Sequence, residues 1–337
     1  MLETEGVVLD TASSWSRYCR VRIYRHTVTP VITNADNYLQ EFSKEVSGDV
    51  VLDVSQLRIV FEVKRFAMMS PNNALITIYN LTAGTERDIV KQGYRITIEA
   101  GYADNHGQIF DGNILMCNRW KQSGTDYILQ VLALDGSQLI DYGFCSFTYQ
   151  KGITGRAVVD EVARLGKTTV GYVSPSLDKL AHTKSVTVHG ASKNILSDYA
   201  KTIKGTWFVD NGKLYVIGYG DESNMLPMGM QAIELSEKTG LLGNPSQNEQ
   251  GINARALINP QFMPYGLVHV RNDRITQQLV SLGSYSAPAS FPYPLDTAGV
   301  YRIVSIVFKG DTRGNDWYAD LVTISQVGKI PEMLTYN

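Results

Sequence analysis

The chain of 337 residues, 44% of them hydrophobic and 19% charged, is long enough for two or three folded domains and too apolar for a disordered protein. Its formal net charge of −2, with acids and bases interspersed, argues against a dedicated nucleic-acid binder, which needs a basic face. Three widely spaced cysteines, Cys19, Cys117 and Cys145, without a CxxC pair, disfavour a disulfide framework or a zinc site.

The N-terminus (Met1 to Glu5) carries acids where a secretory signal starts with bases, and no run of about 18 apolar residues marks a membrane span. Assembly in the cytoplasm is therefore expected. Cys19 to Arg25 alternates as a half-buried strand, with Val21 and Ile23 on one face and Arg20, Arg22 and Tyr24 on the other. Strands follow over Leu57 to Phe66 and Ala74 to Tyr79, then a helix over Thr85 to Gln92 that Gly93 stops. Three more strands are expected over Tyr94 to Ala100, Gln108 to Cys117 and Asp126 to Leu134, separated by turns at Gly101, Gly107 and Gly124.

From Lys151 the period changes. Gly152 to Lys167 reads as a helix with Thr154 as N-cap, an apolar stripe of Val158, Val162 and Leu165, an Ile153–Val158 staple and Gly166 as its stop. A second helix, Ser192 to Lys204, carries Ile195, Leu196, Tyr199, Ala200 and Ile203 and ends at Gly205. A hairpin follows, Thr206 to Val209 and Lys213 to Ile217, turning through Asp210-Asn211-Gly212. After a linker-like stretch from Gly218 to Ala232, strands return at Ala254–Ile258, Leu267–Val270, Val300–Phe308 and Trp317–Ile324, with an aromatic-rich loop over Gly283 to Pro294.

The outer blocks share an order. Each ends a strand at an Asn (Asn80, Asn259), opens the next near a Gly (Gly93, Gly266), and leaves a hairpin through Gly-x-Asp-aromatic-x-x-x-aliphatic: Gly124 to Val131 and Gly314 to Leu321. An internal duplication is expected from this pattern.

The run Ala74 to Gly112 (ALITIYNLTAGTERDIVKQGYRITIEAGYADNHGQIFDG) resembles the tube-forming domain of baseplate hub proteins of contractile-tailed phages. Gly243-Asn244-Pro245, Leu257 to Pro260 and Gly299 to Trp317 resemble that family's second tube domain, and the helix–helix–hairpin its connecting domain. The same family is similar to the hub part of type VI secretion spikes. The resemblance implies a mainly β fold: tail-tube-like antiparallel β-barrel domains at 1–148 and 231–337, joined by a small α+β domain at 149–230. It implies a homotrimer in the virion tail baseplate that adapts a six-fold tail tube to a three-fold central spike. Its partners would be tube or tube-initiator subunits, the spike and other baseplate components, with DNA passing through the lumen without specific binding and no membrane contact. The positions expected to carry the family's turns are Asn80, Gly93, Gly101, Gly112, Asn259, Pro260, Gly310, Asp311, Asp316 and Trp317. A DNA channel must not hold phosphate, so strand bases such as Arg22, Lys64, Arg95 and Arg302 are expected at subunit contacts or on the outer surface.

Catalytic patterns are weak. Leu165-Gly166-Lys167-Thr168 ends like a phosphate loop, but Glu161 stands where its first glycine belongs and the segment closes a helix. Ser176 to Lys179 fits S-x-x-K without its companion motifs. Asp104 and His106 read as a solvated hairpin tip, Glu161 and Arg164 as a surface pair, and Trp120, Tyr127, Trp207 and Trp317 as core or contact aromatics. No enzyme activity, cofactor or metal is expected. The alternatives are a tail-associated cell-wall-degrading enzyme or a glycan-binding tail protein.

Overall fold

The computed structural model describes residues 7–8, 16–26, 49–124, 126–218, 232–248, 250–276, 295 and 297–325. The loop expected over Gly283 to Pro294, and the linker apart from its end residues Gly218 and Ala232, lie outside them. The first half comprises β1 (Val7–Val8), β2 (Arg17–His26), β3 (Asp49–Asp53), β4 (Ile59–Phe66), β5 (Asn73–Tyr79), α1 (Ala83–Gln92), β6 (Gly93–Tyr102), β7 (Asn105–Ser123) and β8 (Asp126–Leu134). Their ladder runs β4–β5–β8–β7–β6–β2–β3. The chain passes from β3 through a turn at Val54–Leu57 directly into β4, so the two end strands of this ladder are joined by chain connection, without pairing to each other. Strict alternation sets the inner face: Val21 and Ile23 of β2 and Ile59, Phe61 and Val63 of β4 all point inward and are buried.

The second half contains β14 (Ile233–Leu235), β15 (Leu241–Gln247), β16 (Ile252–Leu257), β17 (Leu267–Val270), β18 (Val300–Asp311) and β19 (Trp317–Ser325). Its ladder runs β15–β16–β19–β18–β17, and the chain leaving β17 returns to β15, where Gln247 N donates to Thr276 O (2.9 Å) and Thr276 N to Pro245 O (2.8 Å). The duplication is visible here. The order β4–β5–β8–β7–β6 repeats as β15–β16–β19–β18–β17, and β7 and β18 carry a bulge at the same place, between Ile114 and Met116 and between Ile303 and Ser305. The barrels are fused: β4 pairs antiparallel with β18 from Phe66↔Ser305 to Val60↔Asp311, giving one 14-stranded sheet and one continuous core.

Between the halves lie α2 (Ser137–Ile140), β9 (Phe144–Tyr149), α3 (Gly155–Leu165), β10 (Thr169–Val173), β11 (Val186–Ala191), α4 (Ser192–Thr202), β12 (Thr206–Asp210) and β13 (Lys213–Ile217). β9 pairs with β11, and β10–β13–β12 form a separate sheet; Val158, Val162, Leu196, Trp207 and Val216 fill their own core. Asn211 (φ 49°) and Gly212 (φ 72°) make the expected hairpin turn. Thr154 caps α3, its hydroxyl accepting from Ala157 N (3.4 Å).

Several expectations need correction. Leu165 is 40% exposed; Val159 and Ala163 complete the α3 stripe. Gly166 ends α3, but Lys167 (φ 52°) takes the left-handed position, and the glycine is needed because a side chain there would overlap Leu139. Gly101 and Gly107 lie inside β6 and β7, whose turn is at Ala103–Asp104. The first helix starts two residues earlier than expected, capped by Thr82.

Candidate functional site

The seam between β4 and β18 concentrates the distinctive chemistry. On its outer face Glu62 meets Lys64 at 2.7 Å and its cross-strand partner Lys309 at 3.7 Å, and the Lys64 hydrogen bond holds the Glu62 carboxyl below its usual value. On the inner face Phe61 lies under Gly310, where any side chain would overlap the ring, and meets Trp317 edge-on at 5.6 Å. Trp317 Nε1 donates to Gly101 O of the first barrel (3.1 Å), while Arg17 donates to Gly314 O (2.6 Å) and stands 5.6 Å from the Trp317 ring. Asp311 accepts from Arg58 (2.7 and 3.3 Å) and from Arg313 N (2.9 Å). Burial pushes its carboxyl up, but Arg58 and the neighbouring amides outweigh burial and leave it below the usual value.

The structure thus brings together Gly101, Gly310, Asp311, Asp316 and Trp317; Asp316 O accepts from Asp311 N (2.8 Å) in the β18–β19 turn. Pro260 makes a separate contact between the two halves, packing close over Gly107 of β7. Asn259 stands beside it as a turn residue, its Oδ1 accepting from Gln261 N (2.9 Å). The other three lie apart. Asn80 (φ 55°) exchanges hydrogen bonds with Tyr127 and Asp126, Gly93 closes α1, and Gly112 lets Phe110 and Leu134 O approach β7.

Sequence reasoning missed the junction beneath the seam. Arg65, 2% exposed, points inward from β4 and donates to both oxygens of Asp210 (2.7 and 2.5 Å) and to Phe262 O (3.1 Å). Asn72 Nδ2 donates to Val209 O (2.9 Å), and its Oδ1 accepts from Phe66 N (2.8 Å). One cluster therefore ties both barrels to the middle unit. Next to it, burial, reinforced by Asp210, pushes the Asp135 carboxyl up to about 8, although Gly212 N donates to it at 3.0 Å. A signal existed: in Ile59, Phe61, Val63, Arg65 an arginine continues an apolar period of two, which demands a buried acid.

Of the four bases expected at contacts or outside, Arg22 pairs with Glu99, Lys64 with Glu62 and Arg95 with Asp111 (2.7 Å). Arg302 is a correction: it is 3% exposed, with its guanidinium 4.6 Å from the Tyr265 ring. Trp207 and Trp317 are buried, whereas Trp120 and Tyr127 are exposed. Glu161 and Arg164 form the expected pair, His106 stacks on Tyr18 at the hairpin tip, and Ser176 sits in a 3-10 turn, Pro175–Leu177. Among the described residues no group of three or more His, Cys, Asp or Glu side chains is placed to hold a metal, and no helix is long and apolar enough to cross a membrane.

Two pseudo-repeated β units joined by an α+β unit make up a fold that is also found in phage tail proteins. The 43 kDa tail protein of prophage MuSo2 from Shewanella oneidensis shares it, with a TM-score of 0.51 at 8% identity over 91% of this chain and 98% of that one. A tail protein from Neisseria meningitidis is similar at TM-score 0.49, with 10% identity over 80% of this chain and 96% of that one. So is the E. coli c3393 protein, described as a type VI secretion system component structurally similar to bacteriophage T4 tail proteins, at TM-score 0.47, with 13% identity over 82% of this chain and 76% of that one. No protein-family model matches the sequence. No curated protein matches it either.

Proposed function

We propose that the protein is a structural, non-enzymatic hub of a phage-type tail, three copies of which adapt a six-fold tube to a three-fold spike and line the DNA channel. One observation carries this reading: a single chain holds two barrels with the same ladder order, fused through β4 and β18. Three such chains present six similar barrels to a ring of tube subunits while keeping three-fold contacts for the spike. The symmetry mismatch is absorbed inside the polypeptide. The paired or buried state of Arg22, Lys64, Arg95 and Arg302 favours a wall that does not grip phosphate. Native mass spectrometry of the purified particle, or symmetry-free imaging of it, tests the stoichiometry. Three copies are expected; six copies in one ring, or one copy per tail, would overturn the reading.

A further inference from the structure

The repeat locates a second joint. Corresponding residues lie in rows across the two sheets: Val60, Thr77, Gln130 and Asn118 in the first half match Leu242, Arg255, Asp320 and Val307 in the second. By the same match β4 corresponds to β15, β7 to β18, and residues 116–122 to residues 305–311. In β18 that stretch is bordered on one side by β19 and on the other by β4. In β7, β8 borders one side, while pairing with β6 ends at Asn113. Among the described residues no strand takes the other side of 116–122.

The side chains report the same vacancy. Ile306 and Phe308 are buried at the seam; on β7 Leu115, Met116 and Trp120 are 52%, 48% and 40% exposed, and Asn118, Arg119, Lys121 and Gln122 are exposed with them. A bare strand edge flanked by large apolar side chains is a pairing template. The β4 counterpart is also uncovered in part: β15 is the last strand of the main ladder, and Leu242, Gly243 and Asn244 are exposed. Its bulge at 243–245 and the Thr276 bridge confine the open stretch to residues 241–244, so a joint made here is shorter than the seam.

We infer that residues 116–122 of β7 receive the β15 edge of a second copy of this chain, head to tail, as an intermolecular counterpart of the β4–β18 seam. The occupant follows from the molecule itself. Each chain already contains one such joint, which uses one of its two β4-type edges and one of its two β18-type edges; the unused pair is β15 and the outer part of β7. A joint between unlike edges propagates in one direction and closes as a ring when the turn per copy divides a full revolution, as the three copies of the trimer reading require. The proposal deepens the trimer reading and rests on it.

In the seam Val60 lies opposite Asp311, so Leu242 of one copy is expected opposite Gln122 of the next. Paired residues on antiparallel strands stand about 4.5–5.5 Å apart at Cα, within disulfide reach. The test is the full chain carrying Gln122→Cys and Leu242→Cys, oxidised in the assembled particle and run without reductant, with each single variant as control. A ladder ending at three chains, in the double variant alone, is expected. Hydrogen exchange on the unmodified protein is the second arm, with amides of 114–123 slowed at least tenfold on assembly. A three-copy particle without the cross-link, or with 114–123 still exchanging freely, overturns the edge assignment and leaves the stoichiometry standing. A particle with a single copy overturns both. Protection of 114–123 without cross-linking to a second copy assigns the edge to a different protein and likewise rejects the proposal.

Discussion

β7 and β18 are the same strand twice, with corresponding neighbours in β8 and β19 and the same bulge, yet residues 305–311 lie at the seam and residues 116–122 are mostly exposed. Where β18 has Ile306, Phe308 and Gly310, β7 has Cys117, Arg119 and Lys121. Arg119 pairs with Glu86 at 2.8 Å and faces the Tyr127 ring, whereas Phe308 is fully buried beside Arg65. Backbone geometry was kept and composition followed the partner: a strand that receives β4 inside its own chain can afford an apolar inner face at every position.

The difference is measurable, and the largest effect breaks the junction beneath the seam. Arg65→Ala leaves Asp210 buried without its cation, so about 3–5 kcal/mol of unfolding free energy should disappear, read by urea denaturation. Arg255→Ala, which removes an exposed pair with Asp320, should cost under about 1 kcal/mol. Leu196→Ala, in the separate core of the middle unit, should cost about 2–5 kcal/mol; a loss below 1 would mean that this unit repacks freely.

The third effect depends on pH. Asp135 has its folded value raised to about 8 from 3.8, so the folded state holds a proton that the unfolded chain gives up. The stabilisation is complete below the unfolded value and declines as pH rises from about 4 through about 8. Asp135→Asn should flatten that decline, gaining a few kcal/mol at pH 8 relative to pH 5 in parallel denaturation curves. A wild-type stability that climbs between pH 5 and 8 would contradict the assignment.

The smallest effect sharpens the comparison directly. Gly310→Ala forces a methyl into Phe61 and should cost about 1–3 kcal/mol. Lys121→Ala, at the matching position of β7, should stay within about 0.5 kcal/mol in the isolated chain. Equal costs at the two sites would mean that β7 is as enclosed as β18.

Much of this was legible because local rules and tertiary structure agree. Alternation marked β2, β4, β5 and β8; Thr154 marked the start of α3; Asn211-Gly212 marked its hairpin; and the Gly-x-Asp-aromatic turn disclosed the repeat. β15 was missed because Gly243-Asn244-Pro245 interrupts alternation with a bulge. β9 and β11 were missed because only part of each is buried, as a two-stranded ribbon against α3 and α4. Of the candidate site, the turn residues at 310–317 could be named, but not that Trp317 would find its acceptor at Gly101, 216 positions away. Long-range pairing leaves no local signature. Gly101 and Gly107 read as turns in the sequence because flexibility and close approach use the same residue.

The β4–β18 pairing also has a kinetic meaning. Joined by one polypeptide, the two barrels meet in a first-order process whose equilibrium ignores concentration, whereas contacts between chains weaken on dilution. Any fragment shed from an assembly of this protein must therefore carry barrels in pairs. Parity, enforced by covalent connection, is a property that six separate subunits could not guarantee.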